Sequence, residues 1–300
     1  MDKIFIEKEY EYISRQKGID ALCKKYPFIK RMFVGKSCLG KEITGLKIGN
    51  GAEYNLIAAA FHGSERLTAL VCLMFIEQLC FALKENVKFC GVSPQNLLRR
   101  RGVIFVPCVN PDGCDISLLG ETACGDDGKK LYNLCKGDFS HWNANARGVD
   151  INHNFDADWE NLHKKEQSAG IFGPAPTRYG GPFPHSEPET TALVELCRKN
   201  YIRQATALHS QGEVIYWNFG ASTPYKSKPL AEIMATSSGY SLDIPESLAT
   251  GGGFKDWFIK EFRRPAFTVE LGRGENPLPI TDASEILEKV KEMLLLCSVT

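Results

Sequence analysis

The sequence of 300 residues predicts an α/β fold, a central, largely parallel or mixed sheet with helices on both faces, in a single domain spanning residues 1–300. Three observations carry that prediction. Strand-like runs are nearly continuous in apolar residues, as strands covered on both faces are. They alternate with helix-like segments. No internal repeat, low-complexity tract or long Gly/Ser linker divides the chain. Hydrophobic residues make up 43% and charged residues 24%, which leaves ample apolar area for a core.

The predicted strands are ITGLKIG (43–49), YNLIAAAF (54–61), GVIFVPCV (102–109), QATALH (204–209), VIYWN (214–218) and PAFTVEL (265–271). Residues 65–85 carry a broad apolar face and read as a helix ending before the turn at Gly91. Ser93, just before Pro94, reads as the cap of a short helix running to Arg100. Ser186-Glu187-Pro188-Glu189 reads as a capping box, in which Ser186 serves an orphan amide and Glu189 reaches back. An amphipathic run then continues to Cys197, and residues 253–262 and 282–296 read as two further helices. Residues 111–184 are rich in Gly, Asn, Asp and Pro with little periodicity, too long for an idle connection. Such segments above a sheet are where sites are built.

Charge excludes some functions. Lys plus Arg is 36 and Asp plus Glu is 36, so neither nucleic acid nor an anionic membrane is expected as the main partner. The longest uninterrupted apolar run, residues 69–76, is far short of a membrane span, and the opening MDKIFIEKEYEY lacks the apolar core of a signal peptide. The eleven cysteines are odd in number, with no CxxC pair, and several sit in apolar stretches. They read as reduced thiols in a cytoplasmic protein.

Six histidines supply the candidate chemistry: His62, His141, His153, His163, His185 and His209. Two show a His-x-x-Glu spacing, which alone is weak, so context decides. His62 and Glu65 follow directly on an apolar run and precede a helix, where both can converge above the sheet edge. His163 and Glu166 lie in NLHKKEQ, whose two lysines repel a cation. A catalytic zinc needs three protein ligands and an open position. His209 ends a strand-like run and offers the third ligand; the alternative is a core histidine satisfied by a carbonyl. Glu270, an acid inside the apolar run PAFTVELG, suits a general base beside a zinc-activated water; the alternative is a strand-end acid in solvent.

Seven segments then fall into one pattern: SCLGKEITGLKIG (37–49), AAAFHGSER (58–66), VPCVNPDG (106–113), RGVDINHNFD (147–156), ALHSQGE (207–213), GGGFKDWF (251–258) and FTVELG (267–272). In these the chain resembles the zinc metallocarboxypeptidases, from about residue 10 to 295. The resemblance implies one α/β/α domain on a mixed, eight-stranded sheet. It implies one zinc ion held by His62, Glu65 and His209, Glu270 as general base and then proton donor, and Asn152 as a carboxylate-binding residue. GPFPHSEPET (181–190), ALHSQGEVIYW (207–217) and GENPLP (274–279) look most like the bacterial γ-D-glutamyl-meso-diaminopimelate peptidases, implying a small muropeptide-like substrate.

Three departures from the family pattern stand out. His153 replaces the arginine that follows the asparagine, and imidazole cannot grip a carboxylate in a bidentate way, so ordinary carboxypeptidase activity should be weak. Asn143 stands where a basic residue commonly polarises the scissile carbonyl; Arg147 is the candidate substitute, the alternative being a surface arginine. Leu248 stands in the register of the family's mobile tyrosine. Lys255, in a segment that shapes the family's specificity pocket, is expected to suit an acidic group on the leaving residue; the alternative is a solvated helix lysine. Two other readings compete: zinc chemistry on another peptide or an N-acyl amino acid, and a non-catalytic muropeptide-binding module.

Overall fold

The computed structural model describes residues 3–99 and 101–300. Met1, Asp2 and the predicted helix end at Arg100 lie outside the described residues. One eight-stranded sheet forms the middle layer. Its strands are β1 (Lys30–Lys36), β2 (Glu42–Gly49), β3 (Tyr54–Ala59), β4 (Gly102–Val106), β5 (Ile202–His209), β6 (Val214–Tyr216), β7 (Ser241–Asp243) and β8 (Ala266–Glu270). Their order across the sheet is β1-β2-β4-β3-β5-β8-β6-β7. The central β4, β3, β5 and β8 run parallel, while β1, β2 and β6 introduce antiparallel pairings.

Alternation along the central strands divides their side chains between two cores. In β3, Ile57 and Ala59 join one apolar cluster and Leu56 and Ala58 the other. The first core is closed by α1 (Tyr12–Lys25), α2 (Arg66–Glu85), α8 (Ser227–Ser238) and α10 (Ala283–Val299). The second is closed by α7 (Pro188–Lys199) and α9 (Phe254–Phe262). The chain is therefore a three-layer α/β/α sandwich. An 18-residue window within 63–85 reaches a mean hydropathy of 1.8, apolar enough by length and composition to cross a membrane, yet 78% of that window is buried, and the helix packs on the sheet and α10. It is a core helix, and it ends on Asn86 in the left-handed conformation with its N–H on the Ala82 carbonyl.

Several expectations need correction. β1 and β7 escaped the reading because both are edge strands whose side chains are mostly in solvent, leaving no apolar run. Predicted strands 54–61 and 102–109 stop at Ala59 and Val106, where the chain peels away to build site loops. Residues 111–184 contain three helices, α4 (Pro111–Leu119), α5 (Gly128–Leu134) and α6 (Trp159–Ser168). The α4 start was readable as an Asn cap followed by Pro at the first helical position: Asn110 Oδ1 accepts the Gly113 N–H at 2.8 Å. The short helix α3 (Pro94–Leu98) follows Ser93, whose hydroxyl meets Gln95 Oε1 rather than a helix amide. The capping box at α7 does not form: Ser186 Oγ donates to Glu187, and Glu189 turns inward to accept the Cys38 N–H at 2.9 Å.

Candidate active site

The site sits above the C-terminal ends of β3, β5 and β8, where open α/β sheets carry their ligands. At the end of β3, Ala60 adopts a left-handed φ of 53°, held by Thr68 Oγ1 on its N–H and by the Asn110 N–H on its carbonyl. That turn swings His62 across the strand ends. Gly63 follows where no side chain fits, since a Cβ would stand 2.3 Å from the Gly113 carbonyl and 2.4 Å from that of Trp142. Glu65 then enters from a 3-10 turn leading into α2.

His62, Glu65 and His209 converge, with donor atoms within 4.8 Å of one another. His62 Nδ1 lies 2.8 Å from Glu65 Oε1, and His209 Nδ1 lies 3.0 Å from Glu65 Oε2 and 3.3 Å from His62 Nδ1. His209 stacks on Phe61 with ring centroids 5.0 Å apart, and its Nε2 is buried without a hydrogen-bond partner among the described residues. Behind His62, Asp150 Oδ1 lies 3.1 Å from Nε2. Holding the far nitrogen of a ligating imidazole in this way fixes its tautomer and points Nδ1 at the metal position.

The electrostatics suit a cation. Burial opposes charge on His62, but the carboxylates of Glu65 and Asp150 overcome it and hold the imidazolium form well above its usual range. Burial likewise pushes against the Glu65 and Asp150 carboxylates, while the neighbouring imidazoles hold both carboxyls far below theirs. Two imidazole nitrogens and a carboxylate, with a further acid behind, are the donor set of a catalytic zinc site with an open position. The residues fit the metal.

Glu270 ends β8 directly beside His209 in the parallel ladder. Burial and the nearby Glu65 carboxylate raise its pKa well above the usual value, partly offset by His62. Glu270 lines a cleft of about 580 Å³ together with His62, Glu65, His209, Asn143, Asn152 and His153. Asn152 is anchored, its Oδ1 accepting the Phe254 N–H at 3.0 Å. Asn143 Oδ1 accepts the Ser64 hydroxyl at 2.5 Å, which leaves its amide N–H groups for the cleft. His153 is already engaged, its Nδ1 2.8 Å from buried Glu166. The same glutamate takes His163 Nδ1 at 3.2 Å and the Gly180 N–H, so the second His-x-x-Glu pair is a latch within the long loop segment.

Two candidates do not reach the cleft. Arg147 pairs with Glu187 at 3.7 Å on a different face, so it does not polarise a carbonyl here. Lys255 is buried, its ammonium donating to the Asn218 carbonyl at 2.6 Å and to Asp256, so it has no charge to offer a substrate. It is a buried structural lysine, not a solvated one. Leu248 lies in a short turn, and Tyr216 lines the cleft from β6 instead. Sequence reasoning passed over Asp150, Arg178, Glu275 and Asn276, which also line the cleft or back the site. Asp150 lay within RGVDINHNFD, but its role needs His62 beside it in space. Glu275 and Asn276 likewise lay within GENPLP (274–279), and Arg178 sits in a loop with no periodicity to mark it.

A second cluster joins Cys38, Glu187 and Glu189, with Sγ 3.6 Å from each carboxylate. The Asn145 amide already donates to both acids there, at 2.7 and 3.2 Å.

Residues 16–295 match the family described as zinc carboxypeptidase. The chain belongs to that family. It is 35% identical over 291 residues to γ-D-glutamyl-L-diamino acid endopeptidase 1 of Lysinibacillus sphaericus, covering 96% of this chain and 72% of that protein. Among solved structures it resembles bovine thrombin-activatable fibrinolysis inhibitor, solved with tick carboxypeptidase inhibitor, at a TM-score of 0.75 and 20% identity over 97% and 96% of the two chains. It also resembles murein-tripeptide amidase MpaA of Escherichia coli O157, at a TM-score of 0.56 and 24% identity over 89% and 91%. This zinc carboxypeptidase relative is a metallopeptidase, and the mixed eight-stranded α/β architecture expected from its sequence is the one observed.

Proposed function

We propose that the protein is a zinc-dependent peptidase hydrolysing the γ-D-glutamyl–diaminopimelate amide bond of peptidoglycan stem peptides. The observation that carries the chemistry is the meeting of His62, Glu65 and His209 in one cleft with a half-buried Glu270 whose pKa is raised. The substrate class rests on the likeness to the Lysinibacillus endopeptidase across 96% of the chain.

His62, Glu65 and His209 would hold the ion, with Asp150 fixing the His62 ring. Zinc, when bound, polarises a carbonyl and lowers the pKa of a coordinated water to about 7. Glu270 takes a proton from the attacking water and returns it to the leaving amine, a task its elevated pKa suits. Asn143 donates to the carbonyl oxygen as charge builds there. Asn152 binds a carboxylate of the leaving unit through its amide N–H. With His153 tied to Glu166 and no guanidinium at that position, the cleft has lost the bidentate grip of a general carboxypeptidase, which favours a dedicated substrate. A cytoplasmic location is part of the proposal, supported by eleven free cysteines, several of them packed in the core.

The test is to incubate zinc-loaded protein with L-Ala-γ-D-Glu-meso-diaminopimelate and identify products by mass. Release of free diaminopimelate is expected. An intact tripeptide alongside cleavage of an N-acyl amino acid would move the assignment to that amide chemistry, and binding without cleavage of either would leave only a muropeptide-binding role.

A further inference from the structure

Apart from the metal donors and Glu270, the cleft presents two oppositely charged side chains that no described residue pairs. Arg178 is the one Lys or Arg among its described lining residues, and its side chain makes no hydrogen bond or ion pair with another described residue. Glu275, exposed on the same cleft, likewise pairs with no described residue, whereas Glu65 and Asp150 are engaged by imidazoles and Glu270 is the proposed base. Of the other candidate cations, Arg147 is taken by Glu187, Lys255 by Asp256 and His153 by Glu166, while His141 lines the cleft as an exposed imidazole.

The two charges are carried by segments tied to different metal donors. Arg178 sits in the left-handed region at φ 65°, its N–H donating to Asp150 Oδ2 at 2.9 Å, on the carboxylate whose other oxygen faces His62. Its backbone is thereby fixed on the His62 side. Glu275 precedes Asn276, whose amide donates to the Ser210 carbonyl at 2.6 Å and accepts the Ser210 hydroxyl at 2.8 Å. Ser210 directly follows His209, so Glu275 is held on the His209 side. A guanidinium and a carboxylate lining one cleft on separate segments, neither paired with a described residue, suit a ligand carrying both a carboxylate and an ammonium.

We infer that Arg178 and Glu275 together form the subsite for the leaving diamino acid, Arg178 binding a carboxylate and Glu275 the free ammonium. The inference rests on the proposed hydrolysis of a diamino acid amide and assigns its specificity. Arg178 supplies the fork that Asn143 and His153 lack, from a different segment of chain.

Binding by titration calorimetry, on a Glu270→Gln background that stops turnover, separates the two roles. Three tripeptide probes of the form L-Ala-γ-D-Glu-X are used, with X as meso-diaminopimelate, lysinamide (ammonium only) or 2-aminopimelate (carboxylates only). Arg178→Ala is expected to weaken the diaminopimelate and aminopimelate peptides by about ten- to a hundredfold and leave the lysinamide peptide unchanged. Glu275→Gln is expected to weaken the diaminopimelate and lysinamide peptides and leave the aminopimelate peptide unchanged. Arg178→Lys should recover part of the carboxylate binding, having charge without the fork. Cleavage of the diaminopimelate tripeptide by the wild type without this crossed pattern overturns the subsite and leaves the reaction standing. The crossed pattern without cleavage overturns the reaction and leaves the subsite. Absence of binding by all three probes overturns both.

Discussion

Asp150→Asn tests whether the acid behind His62 tunes the metal site. Asp150 is 2% exposed and serves four groups: His62 Nε2 at 3.1 Å, the Asn152 N–H at 3.1 Å, the Arg178 N–H at 2.9 Å and, more weakly, the Thr177 hydroxyl at 3.5 Å. Asparagine keeps one acceptor oxygen. If that oxygen stays on His62, the new NH₂ faces the Arg178 N–H, donor to donor; if it flips, His62 loses its acceptor. Loss of a carboxylate behind a ligating imidazole costs about ten- to a hundredfold in metal affinity, or about 1.4–2.8 kcal/mol. The donor clash adds about 1–3 kcal/mol of lost folding stability. Zinc affinity is read by competition with a chromophoric chelator at neutral pH, and folding of the metal-free variant by circular dichroism. A folded variant that holds zinc within twofold of the wild type refutes the assignment.

Glu270→Gln should retain zinc and lose turnover by about 10²–10⁴-fold, checked by metal analysis and product formation in parallel; appreciable remaining activity removes it as the base. Lys255→Met should leave KM for the diaminopimelate tripeptide unchanged, because the ammonium faces Asp256 and not the cleft. Instead it strands a buried carboxylate, lowering stability by about 3–5 kcal/mol in urea denaturation; a raised KM at full stability contradicts that placement. Glu189, fully buried, has its pKa raised by burial to about 7 from a usual value of 4.5. Between those two values the native state binds more protons than the unfolded one, so stability falls as pH rises through this window, by about 3 kcal/mol in all. Glu189→Gln should flatten this part of the urea-midpoint profile; parallel profiles for the two proteins exclude the effect.

The site was legible where side chains end apolar runs. His62, His209 and Glu270 each break or close a run destined for the sheet interior, and a polar group at such a position has to be explained by chemistry. Sheet edges were not legible, because β1 and β7 bury too little to leave a pattern. Nor were Arg178 and Glu275, whose meaning depends on lacking a partner, a property of three-dimensional neighbours. Arg147 and Lys255 failed for the converse reason: their charges are spent on acids, Arg147's on Glu187, 40 residues away and brought close only by folding, and Lys255's on Asp256, the next residue in sequence, whose side chain is buried with it. Glu189 likewise read as a local cap but is claimed by Cys38, 151 residues away in sequence.

His209 and Glu270 occupy one rung of the β5–β8 ladder. Their separation is therefore dictated by backbone hydrogen bonding between adjacent strands. Within the intervening residues 210–265, β6 and α9 are held against β8 and β5, while the connections between these elements can change length or chemistry without detuning the proton-transfer geometry. Diversification of what the enzyme accepts is in this way mechanically insulated from the apparatus that breaks the bond.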